Sequence, residues 1–166
     1  MKQFMFTLTV LLFASLLNQS IAQDSKLPYT AAYSSNFSLG KQEYATKILE
    51  IWKDWDDNQL SRHDYFADTI SMFLPDGSVM RGKANCVNEG TKFRSTFTKV
   101  KSTIHAWVPL HSNDANEDVV CIWGVEEDTS ADGKTEAKEL HEVWWFNKDG
   151  KVSGMRQWDA KFGRPQ

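Results

Sequence analysis

Glu139-Leu140-His141-Glu142-Val143-Trp144-Trp145-Phe146, then Asn147-Lys148-Asp149-Gly150-Lys151, then Val152-Ser153-Gly154-Met155-Arg156-Gln157-Trp158-Asp159 reads as two strands around a tight turn. Asp-Gly between runs rich in β-branched and aromatic residues is a strong hairpin signal. With Asp149-Gly150 as a two-residue turn, Lys148 faces Lys151, and Glu142 falls opposite Gln157 and diagonal to Asp159. Glu142, Gln157 and Asp159 then share one sheet face with Trp144 and Met155. A slip of one residue exchanges the faces and turns His141, Trp145 and Trp158 inward instead.

Upstream of this hairpin lie two more strands. Asp118 to Glu127 is the most apolar, and Lys99 to His111 is long. Alternation places Ile104, Ala106, Val108 and Leu110 on one side of the latter, with His105, Trp107 and His111 on the other. Thr69 to Leu74 reads as a further strand, and Ser78 to Arg81 returns after the turn Pro75-Asp76-Gly77. Helical spacing appears first in the chain. Tyr44, Ile48, Ile51, Trp52 and Trp55 form one apolar stripe over Lys41 to Leu60. Ser61-Arg62-His63-Asp64 offers an N-cap for a short second helix carrying Tyr65 and Phe66, and a third helix is expected over Ala84 to Phe97. Helices first and antiparallel strands after indicate an α+β domain. We expect a cone-shaped curved antiparallel sheet, covered by three N-terminal helices and enclosing an internal pocket.

The N-terminus reads as an export signal. Lys2 precedes an uncharged, mainly apolar run from Phe4 to Leu17, and Ser20-Ile21-Ala22 sets small residues before a cleavage point at Gln23. The run is shorter than the roughly 20 residues that span a bilayer. The expected organisation is a signal peptide over 1–22, a flexible polar leader over 23–40 and one domain over 41–163. The mature chain is then secreted or periplasmic, with no stable membrane anchor after cleavage.

The 166 residues are 41% hydrophobic and 13% aromatic, with seven Trp, which suits one domain with a large-ringed core. The formal net charge is −3 with no basic stripe, which speaks against nucleic acid as a partner. Cys86 and Cys121 permit one disulfide but no disulfide framework. The four His show no H-x-H or H-x-x-x-H spacing, so neither a metal nor a cofactor is expected. Dinucleotide, phosphate-loop and nucleophile-elbow motifs are absent.

In order and spacing the motifs resemble the SnoaL-like and ketosteroid-isomerase-like group of the nuclear-transport-factor-2-like (NTF2-like) superfamily. They are the Trp-bearing first helix, Tyr65-Phe66-Ala67-Asp68-Thr69-Ile70, Leu74-Pro75-Asp76-Gly77, Arg81-Gly82-Lys83, Phe146 to Val152, Met155-Arg156 and Trp158-Asp159. The resemblance implies the cone fold, an interior pocket for a small and largely apolar molecule, and a homodimer through the outer sheet face. Ketosteroid isomerases place a base carboxylate late on the first strand. That position falls near Met72 or Phe73 here, and neither accepts a proton. Their acidic donor falls near Glu142, and their helix tyrosine near Ile51 or Trp52, where only the Trp52 indole N–H can donate. Steroid isomerisation is therefore not implied.

The candidate catalytic residues are Glu142 and Asp159, two carboxyls whose burial in an aromatic cavity would keep one protonated near neutrality. The candidate ligand-binding residues are Trp52, Trp55, Tyr65, Met72, Trp123, Trp144, Met155 and Gln157. His105 and His141 are secondary acid–base candidates because they lie on strands. Three functions stay open: an exported binding protein for a small apolar molecule, an acid–base enzyme of isomerase, hydratase or hydrolase type, and a homodimeric interaction module without a ligand.

Overall fold

Strand pairing joins every described strand into one seven-stranded sheet. The computed structural model describes residues 27–162. From Ala31 onward they belong to a single unit. The signal-peptide region 1–22 lies outside the described residues, as does the first part of the leader. In chain order the elements are β1 (Phe37–Leu39), α1 (Gln42–Asp56), β2 (Phe66–Phe73), β3 (Val79–Arg81), α2 (Lys83–Arg94), β4 (Phe97–Ser112), β5 (Glu117–Ser130), β6 (Thr135–Phe146) and β7 (Val152–Lys161). The sheet order is β1-β4-β5-β6-β7-β2-β3. No described helix is long and apolar enough to cross a membrane.

Three expectations are corrected. The sheet is mixed rather than antiparallel, because β2 runs parallel to β7. The segment read as a flexible leader supplies a strand: Phe37–Leu39 pairs with β4, and Asp114 Oδ2 accepts from the backbone N–H groups of Ser35 and Asn36. There are two helices, not three. Asn58 takes a positive φ of 56° after α1, and residues 57–64 continue as turns. Ser61 caps nothing there, because Arg62 and His63 turn their side chains back onto Asp54. The last helix also stops at Arg94. Its guanidinium takes the carbonyls of Trp55, Asp56 and Phe97, and the Ser95 and Thr96 hydroxyls bond back to Thr91 and Phe93.

The apolar stripe of α1 is buried, with Tyr44, Ile48, Ile51 and Trp52 packed into one core with Ile70, Val120, Ile122 and Val152 from the sheet. Tyr44 stacks on Phe146 with centroids 4.2 Å apart and planes at 13°. Ile48, Ile70 and Ile122 are wholly inaccessible. Each contributes roughly 1.5–3 kcal/mol of apolar burial.

A bulge in β4 bends the sheet. Ile104 pairs with Gly124 and Ala106 with Trp123, so His105 is an extra residue. The bulge also breaks the expected alternation. Ile104 shares the helix-covered face with Val100 and Ser102, whereas Ala106, Val108 and Leu110 switch to the outer face with Trp123, Cys121 and Val119. Gly124 is required at this bend, because an added Cβ would lie 2.4 Å from the Thr103 carbonyl oxygen. Gly124→Ala should therefore destabilise the protein by roughly 1–3 kcal/mol or more through overpacking, read as a lower urea midpoint.

Candidate functional site

The final hairpin brings Glu142 opposite Gln157, and Trp144 opposite Met155. The turn differs from the two-residue form. The Asn147 N–H donates to the Lys151 carbonyl, so the loop is longer, and a bulge between Trp145 and Phe146 restores the register. Glu142 points to the helix-covered face and is 4% exposed. Its Oε2 accepts the indole N–H of Trp52 at 2.7 Å and that of Trp144 at 2.9 Å, and its Oε1 accepts the Gln157 amide at 2.7 Å. Burial pushes the Glu142 carboxyl above its ordinary range, against the three donors that favour the charged form.

The other sequence-named residues fall into different surroundings. Trp52, Met72, Trp144 and Met155 are core residues around Glu142. Rings and aliphatic chains of this core surround the carboxyl. Asp159 is exposed at the end of β7, opposite Leu140 rather than bonded to Glu142. Gln157 is half-buried beside Glu142. Trp55 stacks on Phe93 of α2, with its indole nitrogen buried and unpartnered. Trp123 lies on the outer face, 38% exposed, and so belongs to no interior cage. Cys86 and Cys121 are free thiols.

A second acid cluster shares the inner face. Glu126 and Asp128 of β5 are buried, and Lys138 of β6 lies 3.0 Å from Glu126 and 2.9 Å from Asp128. One lysine serves two carboxylates. Burial pushes Glu126 up to about 7, with Asp128 and Glu142 adding to the rise and Lys138 opposing it. A carboxyl raised in the folded state holds its proton more tightly there than when unfolded. Its contribution is complete below its ordinary value near 4.5 and is lost as pH climbs through about 7. Thermal melts across that window should show stability falling as pH rises, and Glu126→Gln should flatten the fall.

An open cleft lies beside the segment that failed to become a helix. Leu60, Ser61, His63, Asp64, Phe66 and Asp68 form one wall, and Arg81 to Asn85 with Val87 and Asn88 of α2 form the other, around about 660 Å³. His63 stands in this wall. Its Nδ1 lies 2.7 Å from Oδ2 of Asp54, a residue 2% exposed in the last turn of α1. Arg62 Nη1 sits 2.9 Å from the other oxygen, Oδ1, as an ion-pair partner out of hydrogen-bonding alignment. The ring stacks on Tyr65 at 4.9 Å and 2°. Tyr65, named from sequence as a ligand contact, instead donates its hydroxyl to Glu50 at 2.5 Å, which pushes it up to about 12. Asp64 ties the wall together, held by Lys83 and by Lys151 of the β6–β7 hairpin, and these hydrogen bonds lower its carboxyl to about 2.

Sequence reasoning treated His63 as one of four scattered histidines. A usable signal was present in Glu50 and Asp54, two acids one helical turn apart on a flank of α1, followed by Arg62-His63. The smaller cleft, about 400 Å³, is on the outer face and is lined in part by His105, Trp123, His141 and Trp158. His141 lies between the two indoles, 5.7 Å from Trp123 and 5.8 Å from Trp158.

No known family profile matches the chain, and no curated protein matches it in sequence. Solved structures do match in fold. An NTF2-like superfamily protein from Salmonella enterica superposes with TM-score 0.56 at 22% identity, covering 74% of this chain and 92% of that one. A SnoaL-like protein of unknown function from Burkholderia thailandensis gives 0.52 at 18% identity, covering 74% and 99%. SalBIII, an epoxide hydrolase/cyclase-like enzyme of pyran ring formation in the polyether salinomycin, gives 0.57 at 13% identity, covering 72% and 92%. These likenesses establish the NTF2-like, SnoaL-like fold of the chain.

Proposed function

We propose, from the premise that this chain folds as NTF2-like and SnoaL-like proteins do, that it binds a small and largely apolar molecule in the cleft between residues 60–68 and α2. The observation that carries the reading is the cleft itself. Its volume of about 660 Å³ falls within the range of small-molecule sites. Leu60, Phe66, Ala84 and Val87 offer apolar wall, and the rest of the lining is mostly polar or charged, with His63, Arg81, Asn85 and Asn88 among it. Such a site suits a ring compound with a polar substituent. Pyran ring formation in a polyether by SalBIII supports trying cyclic polyethers first.

Native mass spectrometry of the purified protein tests this directly. A co-purified or added small molecule should bind the parent chain and be lost from Ala84→Trp, which fills the cleft from its exposed rim. Equal binding by both proteins would remove the cleft as the site.

A homodimer is the second reading, compatible with the first. It is favoured by the outer face, where Trp123 and Trp158, 38% and 47% exposed, lie near Ala106, Val108 and Cys121. The same spectra read the subunit count, and a monomer at micromolar concentration would end it.

We also propose that the protein is exported after cleavage between Ala22 and Gln23, supported by the charge and small-residue pattern of residues 1–22. The mature mass should begin at Gln23. Secreted protein that retains Met1 would contradict it.

A further inference from the structure

We infer that His63 is the proton acceptor for a small carbon acid bound in the α2 cleft, and that Asp54 is its positioning residue. This rests on the reading of that cleft as the ligand site.

Asp54 is sealed at the end of α1 and offers only acceptor oxygens. His63 Nδ1 donates across the 2.7 Å contact to the Asp54 carboxylate, whose other oxygen faces Arg62. In the neutral ring the lone pair then falls on Nε2. Nε2 has no hydrogen-bond partner among the described residues, and the His63 side chain is 32% exposed in the cleft wall.

The ring is fixed in two further ways. It lies flat on Tyr65, and Tyr65 is itself held by its hydroxyl on Glu50. A surface histidine with no task has little need of a buried acid on one nitrogen and an anchored aromatic on its face. The arrangement keeps one tautomer, one orientation and one free lone pair, as a general base requires. When Nε2 takes a proton, the Asp54 carboxylate at Nδ1 balances the imidazolium. Arg81, in the same cleft, supplies positive charge for the anion left behind.

5-Nitrobenzisoxazole is a suitable probe because a single proton transfer opens it. The lone pair on Nε2 bonds the ring C–H proton, the C–H pair forms the nitrile, and the N–O bond breaks to a phenolate. The histidine then releases its proton to water, and no other reactant is needed. The full chain should turn the probe over faster than an equal concentration of free imidazole. His63→Gln, which keeps the side chain polar and of similar size, should lose about tenfold or more. Long-range proton–nitrogen spectra of the neutral ring should show Nδ1–H. Asp54→Asn should slow turnover and shift the tautomer population towards Nε2–H.

If Asp54→Asn fails to fold with Arg62 unpaired, His63→Gln and the tautomer of the parent protein still decide. Turnover no faster than imidazole, equal turnover by His63→Gln, or an Nε2–H ring in the parent protein each overturns the inference. Probe binding that is lost in Ala84→Trp, together with any of those results, leaves the cleft reading standing and removes only the chemistry. Binding indifferent to Ala84→Trp removes the cleft reading as well.

Discussion

A carboxylate sealed in an apolar interior without a cation must be answered by donors, and the answer at Glu142 ties the fold together. Each of its hydrogen bonds comes from a group that other packing already holds. Trp52 belongs to the buried stripe of α1, Trp144 to the same strand two residues on, and Gln157 to the paired strand β7. Helix, strand and final hairpin therefore meet at two oxygens. Three donors reach this one buried carboxyl, and losing any of them would leave a buried acceptor less satisfied. The position where the resemblance implied an acidic donor and the position where it left only an indole thus turn out to be bonded to each other.

The same helix serves two environments. Ile48, Ile51 and Trp52 face the sheet, while Lys47, Glu50 and Asp54 follow at helical spacing along another flank. The second stripe meets the turns of residues 57–65, which supply Arg62, His63 and Tyr65 as partners. Polar groups there are satisfied by side chains rather than by helical backbone. That accounts for both the absent second helix and the cleft left beside α2.

Much of the architecture was legible in sequence. The α1 stripe and the succession of long strands follow from periodicity, whereas the opposition of Glu142 and Gln157, expected from a two-residue turn, is reached through a longer loop and a compensating bulge. The unreadable parts share a cause, since each depends on contacts between segments distant in sequence. The His105 bulge reverses the faces of β4 and is visible only against Gly124. The parallel pairing of β2 with β7 joins strands some eighty residues apart. Part of the site region was legible: the burial of Glu142 beside Gln157 and Trp144 follows from alternation, while Asp159 lies exposed along the smaller cleft. His63 was passed over because its partner lies nine residues back across an irregular turn, which no regular spacing announces.

Asp64 gives the cleft a different kind of dependence. It is highly exposed, yet it fastens the start of α2 to the far hairpin through two lysines. Attractions between exposed charges weaken as counter-ions crowd in, whereas aromatic and aliphatic packing does not. The rim is accordingly a buckle that brine slackens and fresh water tightens, hung on a body whose rigidity is indifferent to either.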